Sequence, residues 1–312
     1  SYQVYDAAVK LFRDEKGVYQ PWQLENAIKT LDPIIDIYHI HNEPDWPVHV
    51  VRKHTKKPIV WDVHDMRSVR EGTIDKYEGI ALKECNAVSV VSRRYQEIIN
   101  SRDPMKPSRE VLSSVPKGFY PKQRSKIYRG GIVYEGGLGS STTQEFPCRS
   151  WADVFSEIMK LGIQMWAYKG NHSTDNREYA GAIVHGPINY ALLLNELTSY
   201  EFGLVGSPYA DKMFDGALPN KMFEYMAAGL PMICMNAPDV SNFLHATGMG
   251  VSVNHVSEIP DAMQHMRGGR YRRRVWENRW NWAQEGQTNK VTWLYEQCLG
   301  RSLRDPIIPG EL

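Results

Sequence analysis

Residues 218–233 read LPNKMFEYMAAGLPMI, a pattern that predicts a loop, a short amphipathic helix, a break and then a buried strand. Pro219 suits the start of a helix, where its missing N–H costs nothing. The apolar residues that follow recur at helical spacing and would form one face (Met222, Phe223, Met226 and Ala227). Gly229 and Pro231 end the helix, and the apolar run from Met232 is typical of a strand buried on both faces.

The start of this helix is a candidate binding site for an anion, because free N–H groups and the positive end of the helix dipole point outward there. Lys221 lies in the first turn, and Glu224 is the only carboxylate on the helix. A single acid next to a helix start that can bind phosphate is well placed to accept a hydrogen bond from a sugar hydroxyl of the same ligand. An ordinary crossover helix with a solvated glutamate explains the same residues, and this stretch alone does not separate the two interpretations.

The composition is that of a globular protein, with 42% apolar and 23% charged residues, and 312 residues are enough for two domains. The net charge of +1 indicates no general attraction to nucleic acid or anionic membranes. Four scattered cysteines have neither metal-ligand spacing nor the pattern of a disulfide framework, which favours a reducing, cytoplasmic setting. We recognise no signal peptide and no run of about 18 apolar residues that would predict a membrane span.

Strand-like runs alternate with helix-like segments along the chain, which predicts parallel sheets covered by helices. In such sheets ligands bind beyond the carboxyl ends of the strands. His39 and His41 lie at the end of a strand at 34–41, and His64 lies at the end of the next, at 58–65. A histidine that only fills the core is the ordinary alternative, but two successive strand ends with histidines and acids favour a functional role.

A polar, basic segment at 121–130 separates this half of the chain from a second half that begins with a short strand. That strand runs into Gly136, Gly137 and Gly139, and glycine lets a backbone approach a phosphate closely. The spacing fits neither a Rossmann fingerprint nor a P-loop, and glycines also form plain turns. A later strand of the same half ends at Lys169.

Five arginines lie between Arg267 and Arg274, and three tryptophans follow them. Basic residues interleaved with aromatic ones can bind nucleic acid or a lipid surface. The alternative is a surface helix whose arginines face water while the tryptophans pack inward. We favour that alternative because Glu277 and Glu285 reduce the net positive charge of this part of the chain.

Taken in order, these residues resemble the GT-B glycosyltransferases, and glycosyltransferase family 4 (glycosyltransferase group 1) in particular. The most specific piece is residues 219–231, and weaker pieces support it in chain order (38–41, 61–65, 87–92, 115–118, 133–138, 185–187 and 199–204). The resemblance implies a GT-B-like α/β fold, with two Rossmann-like domains facing a cleft. The family's first strand would precede Tyr2, so we expect the first domain to lack its N-terminal strand and a segment upstream of Ser1 to be absent.

The resemblance also implies a division of the chain into three segments. Residues 1–122 would form the N-terminal, acceptor-side Rossmann-like domain, and residues 123–275 the C-terminal, donor-binding one. Residues 276–312 would form helices and a tail that cross back to the first domain.

Individual roles follow from the resemblance. Glu224 matches the carboxylate that binds the ribose hydroxyls of the donor. Asn220 and Lys221 match positions whose backbone N–H groups contact the phosphate and the sugar of the donor. Gly136 and Gly137 match the glycine turn that approaches the diphosphate.

In the first domain, His64 matches a histidine that contacts the transferred sugar, and His41 is a second candidate for the same contact. Family members usually need no metal, because helix dipoles and basic side chains stabilise the leaving nucleoside diphosphate. We therefore expect no metal site, and residues 62–65 (DVHD) lack the spacing of an Asp-x-Asp metal motif.

The chain departs from the family pattern at two positions. Gly216 stands where the family often has a second glutamate, and Gly137 stands where the glycine turn usually carries an arginine. Lys169, Lys221 or Arg149 would then supply the positive charge that faces the diphosphate.

These observations together predict a retaining, metal-independent glycosyltransferase of the hexosyltransferase type, with a nucleoside-diphosphate sugar as co-substrate and no other cofactor. The acceptor is open among a lipid, a glycan, a protein and a nucleic-acid base, and the segment Arg267 to Arg274 would suit an anionic one. Two alternatives remain: a GT-B-like binding or partner subunit with little or no activity, and a GT-B-fold sugar-nucleotide epimerase using strand-end acids (Glu43, Asp62 and Asp65).

Overall fold

The computed structural model describes residues 21–42, 44–138, 150–170, 179, 181–210, 212 and 215–303. Three candidate residues from the sequence lie outside this described part of the chain (Glu43, Gly139 and Arg149). The chain divides into two compact units, one made of Ser1–Val111 with Thr288–Leu312 and the other of Leu112–Gln287.

The first unit contains a four-stranded parallel sheet in the order β1-β2-β3-β4. Its strands are β1 Tyr38–His41, β2 Ile59–Val63, β3 Ala87–Val90 and β4 Ser108–Glu110. The helices before and between them are α1 Pro21–Leu31, α2 Trp46–His54, α3 Arg67–Glu71, α4 Lys76–Glu84 and α5 Arg93–Arg102. Every residue of β2 and β3 is buried, as expected for the central strands of a parallel sheet.

The second unit contains a six-stranded parallel sheet in the order β10-β9-β8-β5-β6-β7. Its strands are β5 Ile132–Gly136, β6 Met165–Lys169, β7 Ile183–His185, β8 Phe202–Gly206, β9 Met232–Met235 and β10 Gly250–Val253. Its helices are α6 Ala152–Lys160, α7 Tyr190–Leu197, α8 Asn220–Ala227, α9 Pro238–Thr247, α10 Ile259–Met266 and α11 Arg270–Asn278. Both sheets confirm the predicted α/β fold.

The stretch at 218–233 folds as its sequence predicts. Pro219 is extended and stands just before α8, whose apolar face is buried in the core of the second unit. Gly229 has φ 69°, and a Cβ there would lie 2.4 Å from the Trp276 ring, so this position needs glycine for two reasons. All four residues of the following strand, β9, are buried.

The last described helix, α12 Thr288–Leu299, belongs to the first unit and packs against β3 and β4. Its Leu294 is fully buried in a small apolar cluster with Val60 and Ala87. None of the described helices is both long enough and apolar enough to span a membrane.

The boundaries between the units differ from the positions expected near residues 122 and 275. The chain enters the second unit earlier because Leu112 and Tyr120 are buried in that unit's core. It leaves the second unit later because Arg279 lies there as well, where its backbone carbonyl accepts a hydrogen bond from the Tyr120 hydroxyl at 3.2 Å.

The arginine-rich segment is partly occupied by contacts within the second unit. Arg267 pairs with Glu201 at 2.8 Å, and Arg272 donates hydrogen bonds to the backbone carbonyls of Thr198 and Tyr200. The other three arginines are exposed (Arg270, Arg273 and Arg274). This arrangement favours a surface helix, and binding of an anionic acceptor there stays a prediction.

Candidate functional site

A polar cluster lies at the carboxyl ends of β1 and β2, and we call it the histidine cluster (His39, His41, Asp62 and His64). Side chains two residues apart on a strand point to the same face, so His39 and His41 share one face of β1. The parallel register then places His41 beside Asp62 on β2, and Asp62 beside Ser89 on β3. The pairing of the strands thus brings the predicted His41 and His64 to one carboxylate.

Asp62 is the centre of the histidine cluster. Its Oδ2 lies 2.5 Å from His41 Nδ1 and 2.8 Å from His64 Nε2, and its Oδ1 accepts a hydrogen bond from the Ser89 hydroxyl at 2.7 Å. Burial alone would raise the pKa of the Asp62 carboxyl, but the hydrogen bonds from His41 and His64 outweigh it, and the pKa lies well below its ordinary value. Asp62 is therefore an ionised carboxylate held among imidazoles.

His39 and His64 have different surroundings. His39 lies deep in the cluster, its Nδ1 is 2.8 Å from the Tyr295 hydroxyl, and burial lowers its pKa to about 4. The hydrogen bond with Asp62 raises the pKa of His64. Asn42 accepts a hydrogen bond from the His64 backbone N–H at 2.7 Å and so fixes its position. The cluster therefore combines a neutral, half-buried imidazole with one that holds a proton more readily.

A second polar cluster lies in the second unit, and we call it the glutamate cluster (Glu135, Tyr190, Lys221 and Glu224). Its strand, β5, has β6 on one side and β8 on the other, so the chain changes direction across the sheet at this strand. Ligands of parallel sheets bind at such switch points, beyond the carboxyl ends of the strands. Glu135 and Gly136 are the last two residues of β5.

Lys221 extends from the first turn of α8 to the end of β5. Its Nζ lies 3.8 Å from the centre of the Tyr134 ring and 3.1 Å from the place where a Cβ would stand at Gly136. Gly136 has φ 123°, a backbone conformation that favours glycine. An ammonium group therefore lies beside the glycine turn that follows the strand.

Glu135 is the most unusual member of the glutamate cluster. It is only 7% exposed, and its Oε1 has no hydrogen-bond partner among the described residues. Burial, and then the neighbouring Glu224 carboxyl group, raise the pKa of the Glu135 carboxyl well above its ordinary value. Glu135 therefore holds its proton more readily than an exposed glutamate does.

Tyr190 joins the cluster from the start of α7. Burial raises the pKa of its phenol, and the neighbouring Glu224 raises it further. The Tyr190 ring packs edge-to-face against the partly exposed Phe119 ring at 5.3 Å. The two aromatic rings form a half-exposed wall beside the carboxylate.

The other predicted site residues of the second unit lie around the same strand end. Lys169 ends β6 directly opposite Gly136, and the carbonyl of Gly137 accepts a hydrogen bond from the Tyr134 hydroxyl at 3.0 Å. Asn220 is the first residue of α8 and is exposed. Gly216 has φ 81° and donates its N–H to Asp239 at 2.7 Å.

Sequence reasoning did not include Glu135, Tyr134 or Tyr190 among the site residues. Glu135 carried one signal, since it is an acid at the carboxyl end of an otherwise apolar strand. No sequence pattern points to Tyr190, because its proximity to Glu224 depends on packing between two helices.

Comparison with protein families gives one match, and most of it lies in the second unit. Residues 150–288 match the family model described as glucosyltransferase 3-like, C-terminal domain. This range includes α8 with Asn220, Lys221 and Glu224, whereas Glu135 and Gly136 precede it. Among curated proteins, none matches the sequence of this chain.

Solved structures match nearly the whole chain. Sucrose-phosphate synthase from Thermosynechococcus elongatus superposes with a TM-score of 0.65 and 15% identity, over 89% of this chain and 78% of that one. The chain has the GT-B glycosyltransferase fold. The same GT-B architecture is shared with HepE from Anabaena, solved in complex with UDP, at a TM-score of 0.66 and 9% identity, over 88% of this chain and 82% of that one.

A third similar structure is a mutant of TarM from S. aureus in complex with fondaparinux, alpha-GlcNAc-glycerol and UDP. It superposes with a TM-score of 0.64 and 14% identity over 89% of this chain. The present chain spans only 59% of that protein. At these identities the similarity establishes the GT-B fold and nothing finer.

Proposed function

We propose that this chain is a glycosyltransferase that moves a sugar from a nucleoside-diphosphate sugar to an acceptor. The observation that carries the proposal is the glutamate cluster: one helix start presents Lys221 and Glu224 beside the glycine end of β5, at the switch point of a parallel sheet. The family model matched by residues 150–288 and the UDP-bound structures of similar fold support the same activity.

In this proposal the leaving diphosphate lies against the start of α8. The free N–H groups of the first turn, including those of Asn220 and Lys221, and the Lys221 ammonium stabilise the charge that develops on the phosphate oxygens. Gly136 and Gly137 allow the backbone to approach the same group, and Lys169 on the neighbouring strand adds positive charge.

Glu224 would accept hydrogen bonds from the two ribose hydroxyls of the donor. Glu135 lies buried beside it, and its raised pKa reduces the negative charge that the pair presents to the ligand. Tyr190 lies close to the same carboxyl group.

In the first unit, we assign His64, with His41 as a second candidate, to contact with the transferred sugar. The proposal extends to retention at the anomeric carbon, to transfer without a metal, and to a family 4 relationship. Catalysis would then consist of leaving-group stabilisation and positioning. The acceptor remains open, and we place the reaction in the cytoplasm.

The test has two stages. Thermal unfolding is followed with UDP, GDP, ADP and TDP, because a ligand that binds only the folded state raises its stability. A donor-site protein shows an increased melting temperature with at least one of the four, and no increase with any of them would contradict the proposal. Incubation with the corresponding labelled nucleotide sugars then separates release or transfer of the sugar from formation of an epimer.

A further inference from the structure

Three potential metal-ligand atoms of the histidine cluster converge on one point. His39 Nε2, His41 Nδ1 and Asp62 Oδ2 all lie within 4.8 Å of one another. The carboxylate oxygen is 2.5 Å from His41 and 3.9 Å from His39. Ligand atoms about 2.0–2.1 Å from a tetrahedral zinc ion are about 3.3 Å apart, so the observed distances bracket the required spacing. We propose that His39, His41 and Asp62 form a binding site for a divalent cation of intermediate hardness, such as Zn²⁺.

The surroundings of the three residues orient them as metal ligands are usually oriented. His39 Nδ1 is hydrogen-bonded to the Tyr295 hydroxyl at 2.8 Å, which directs the other ring nitrogen toward Ser89, 3.3 Å away, and Asp62, 3.9 Å away. Ligating histidines typically hold their second ring nitrogen in such a bond. The second carboxylate oxygen of Asp62 is held by the Ser89 hydroxyl at 2.7 Å. Two of the three ligands are thus fixed by partners outside the ligand set.

The ligand types select the kind of ion. Two imidazoles and one carboxylate suit Zn²⁺ or Co²⁺, whereas Mg²⁺ and Ca²⁺ prefer sites made entirely of oxygen. Three protein ligands leave a fourth position of a tetrahedral ion for water. The His41 side chain is 65% exposed, which gives the ion a path into the cluster.

This site uses none of the groups proposed to bind the diphosphate, and it shares only His41 with the proposed sugar contact. It lies entirely in the first unit, while the diphosphate is assigned to Lys221 and α8 in the second. The inference therefore stands whether or not the chain transfers a sugar. A bound ion and the direct contact between His41 and Asp62 exclude each other, because both use the same Nδ1 atom.

The test is a titration of the chelator-treated chain with Co²⁺, followed by the visible absorption of the bound ion and by displacement with Zn²⁺. We expect one equivalent of Co²⁺ to bind with the intense visible band of a tetrahedral site, and Zn²⁺ to abolish that band. His41→Ala should weaken binding at least tenfold. This substitution is made at an exposed side chain, and far-UV circular dichroism verifies that the variant is folded.

The matched control is His49→Ala. His49 also contacts a carboxylate, with its Nδ1 2.9 Å from Glu84 Oε2, but it lies outside the cluster, so this variant should bind as the wild type does. Tyr295→Phe keeps all three ligands and should weaken binding roughly tenfold through the lost hydrogen bond. If the wild type binds no Co²⁺, or if His41→Ala binds it as tightly as the wild type, the inference is wrong.

Discussion

The histidine cluster and the glutamate cluster both lie at the carboxyl ends of parallel strands, but the pKa values of their buried carboxyl groups are shifted in opposite directions. Asp62 is surrounded by imidazoles, and its pKa lies below the ordinary value despite its burial. Glu135 is buried beside a second carboxyl group, Glu224, and its pKa lies well above the ordinary value. Burial shifts both pKa values upward, and at Asp62 the neighbouring imidazoles outweigh it, whereas at Glu135 the second carboxyl group adds to it.

This difference assigns the two clusters to different ligands. An ionised carboxylate among imidazoles suits a cation or a neutral sugar hydroxyl. The glutamate cluster instead places one lysine and a helix start beside the glycine turn, and the pKa of one of its two carboxyl groups is raised. That balance of charges suits a ligand with an anionic end and a hydroxyl-bearing end, such as a nucleoside diphosphate.

The largest effect is expected from Lys221→Ala, which removes the ammonium beside Gly136. Loss of a charge-assisted hydrogen bond to a phosphate should weaken nucleoside diphosphate binding about 100-fold, or about 3 kcal/mol. Affinity for the nucleoside without phosphates should change little. Isothermal titration calorimetry with both ligands checks this prediction. Lys160→Ala, at an exposed lysine of α6, is the matched control. An equal loss of affinity for the nucleoside and the nucleoside diphosphate would show that Lys221 does not contact the phosphate.

A smaller effect is expected from Gly136→Ala. The alanine must adopt φ 123° or shift the end of β5, which costs about 2 kcal/mol of the free energy of unfolding. Chemical denaturation measures the change. Gly186→Ala is the control, because a Cβ there meets no atom within 4 Å and the backbone is unstrained. Equal stability of the two variants would mean that the turn does not need its glycine.

Glu135→Gln tests the charge state of the glutamate cluster. Since the pKa of Glu135 is raised in the folded chain, the unfolded chain loses this proton first, and the free energy of unfolding falls as the pH rises above the ordinary glutamate pKa. The glutamine cannot ionise, so the variant should gain stability relative to the wild type as the pH rises above the ordinary glutamate pKa.

The measurement is urea denaturation at several pH values. Glu157→Gln, at an exposed glutamate of α6, should show no such pH-dependent gain. Parallel stability curves for Glu135→Gln and the wild type would show that Glu135 is ionised in the folded chain, and the contrast between the two clusters would then disappear.

The smallest effect is expected in the histidine cluster from Tyr295→Phe. It removes one hydrogen bond to His39 and should lower the free energy of unfolding by about 1 kcal/mol. Tyr271→Phe is a close control, because Tyr271 contacts His265 at 3.1 Å on the exposed surface. Thermal denaturation of both variants should show a larger decrease for Tyr295→Phe, and a larger decrease for Tyr271→Phe would contradict the assignment.

The sequence predicted those parts of the fold and site that depend on local pattern. The helix at Asn220–Ala227, its glycine break and the buried strand after it follow from periodicity. His41 and His64 lie at strand ends, so the parallel pairing of β1 and β2 was enough to bring them together.

What the sequence did not predict depends on contacts between distant segments. Glu135 and Glu224 are far apart along the chain, and only the packing of α8 beside β5 buries Glu135 next to the second carboxyl group, so that both effects raise its pKa. The unit boundaries differed for the same reason, because Tyr120 joins the second core through a contact with Arg279.

The central claim is that the glutamate cluster binds the ribose and diphosphate of a nucleotide, and Glu224→Ala tests it most directly. Calorimetric titration compares the wild type and the variant with a nucleoside diphosphate and with its 2′,3′-dideoxy analogue. We predict that the wild type prefers the natural nucleotide at least tenfold and that Glu224→Ala binds both ligands equally weakly, because the carboxylate that accepts the two hydroxyls is gone. An unchanged preference in the variant would contradict the account.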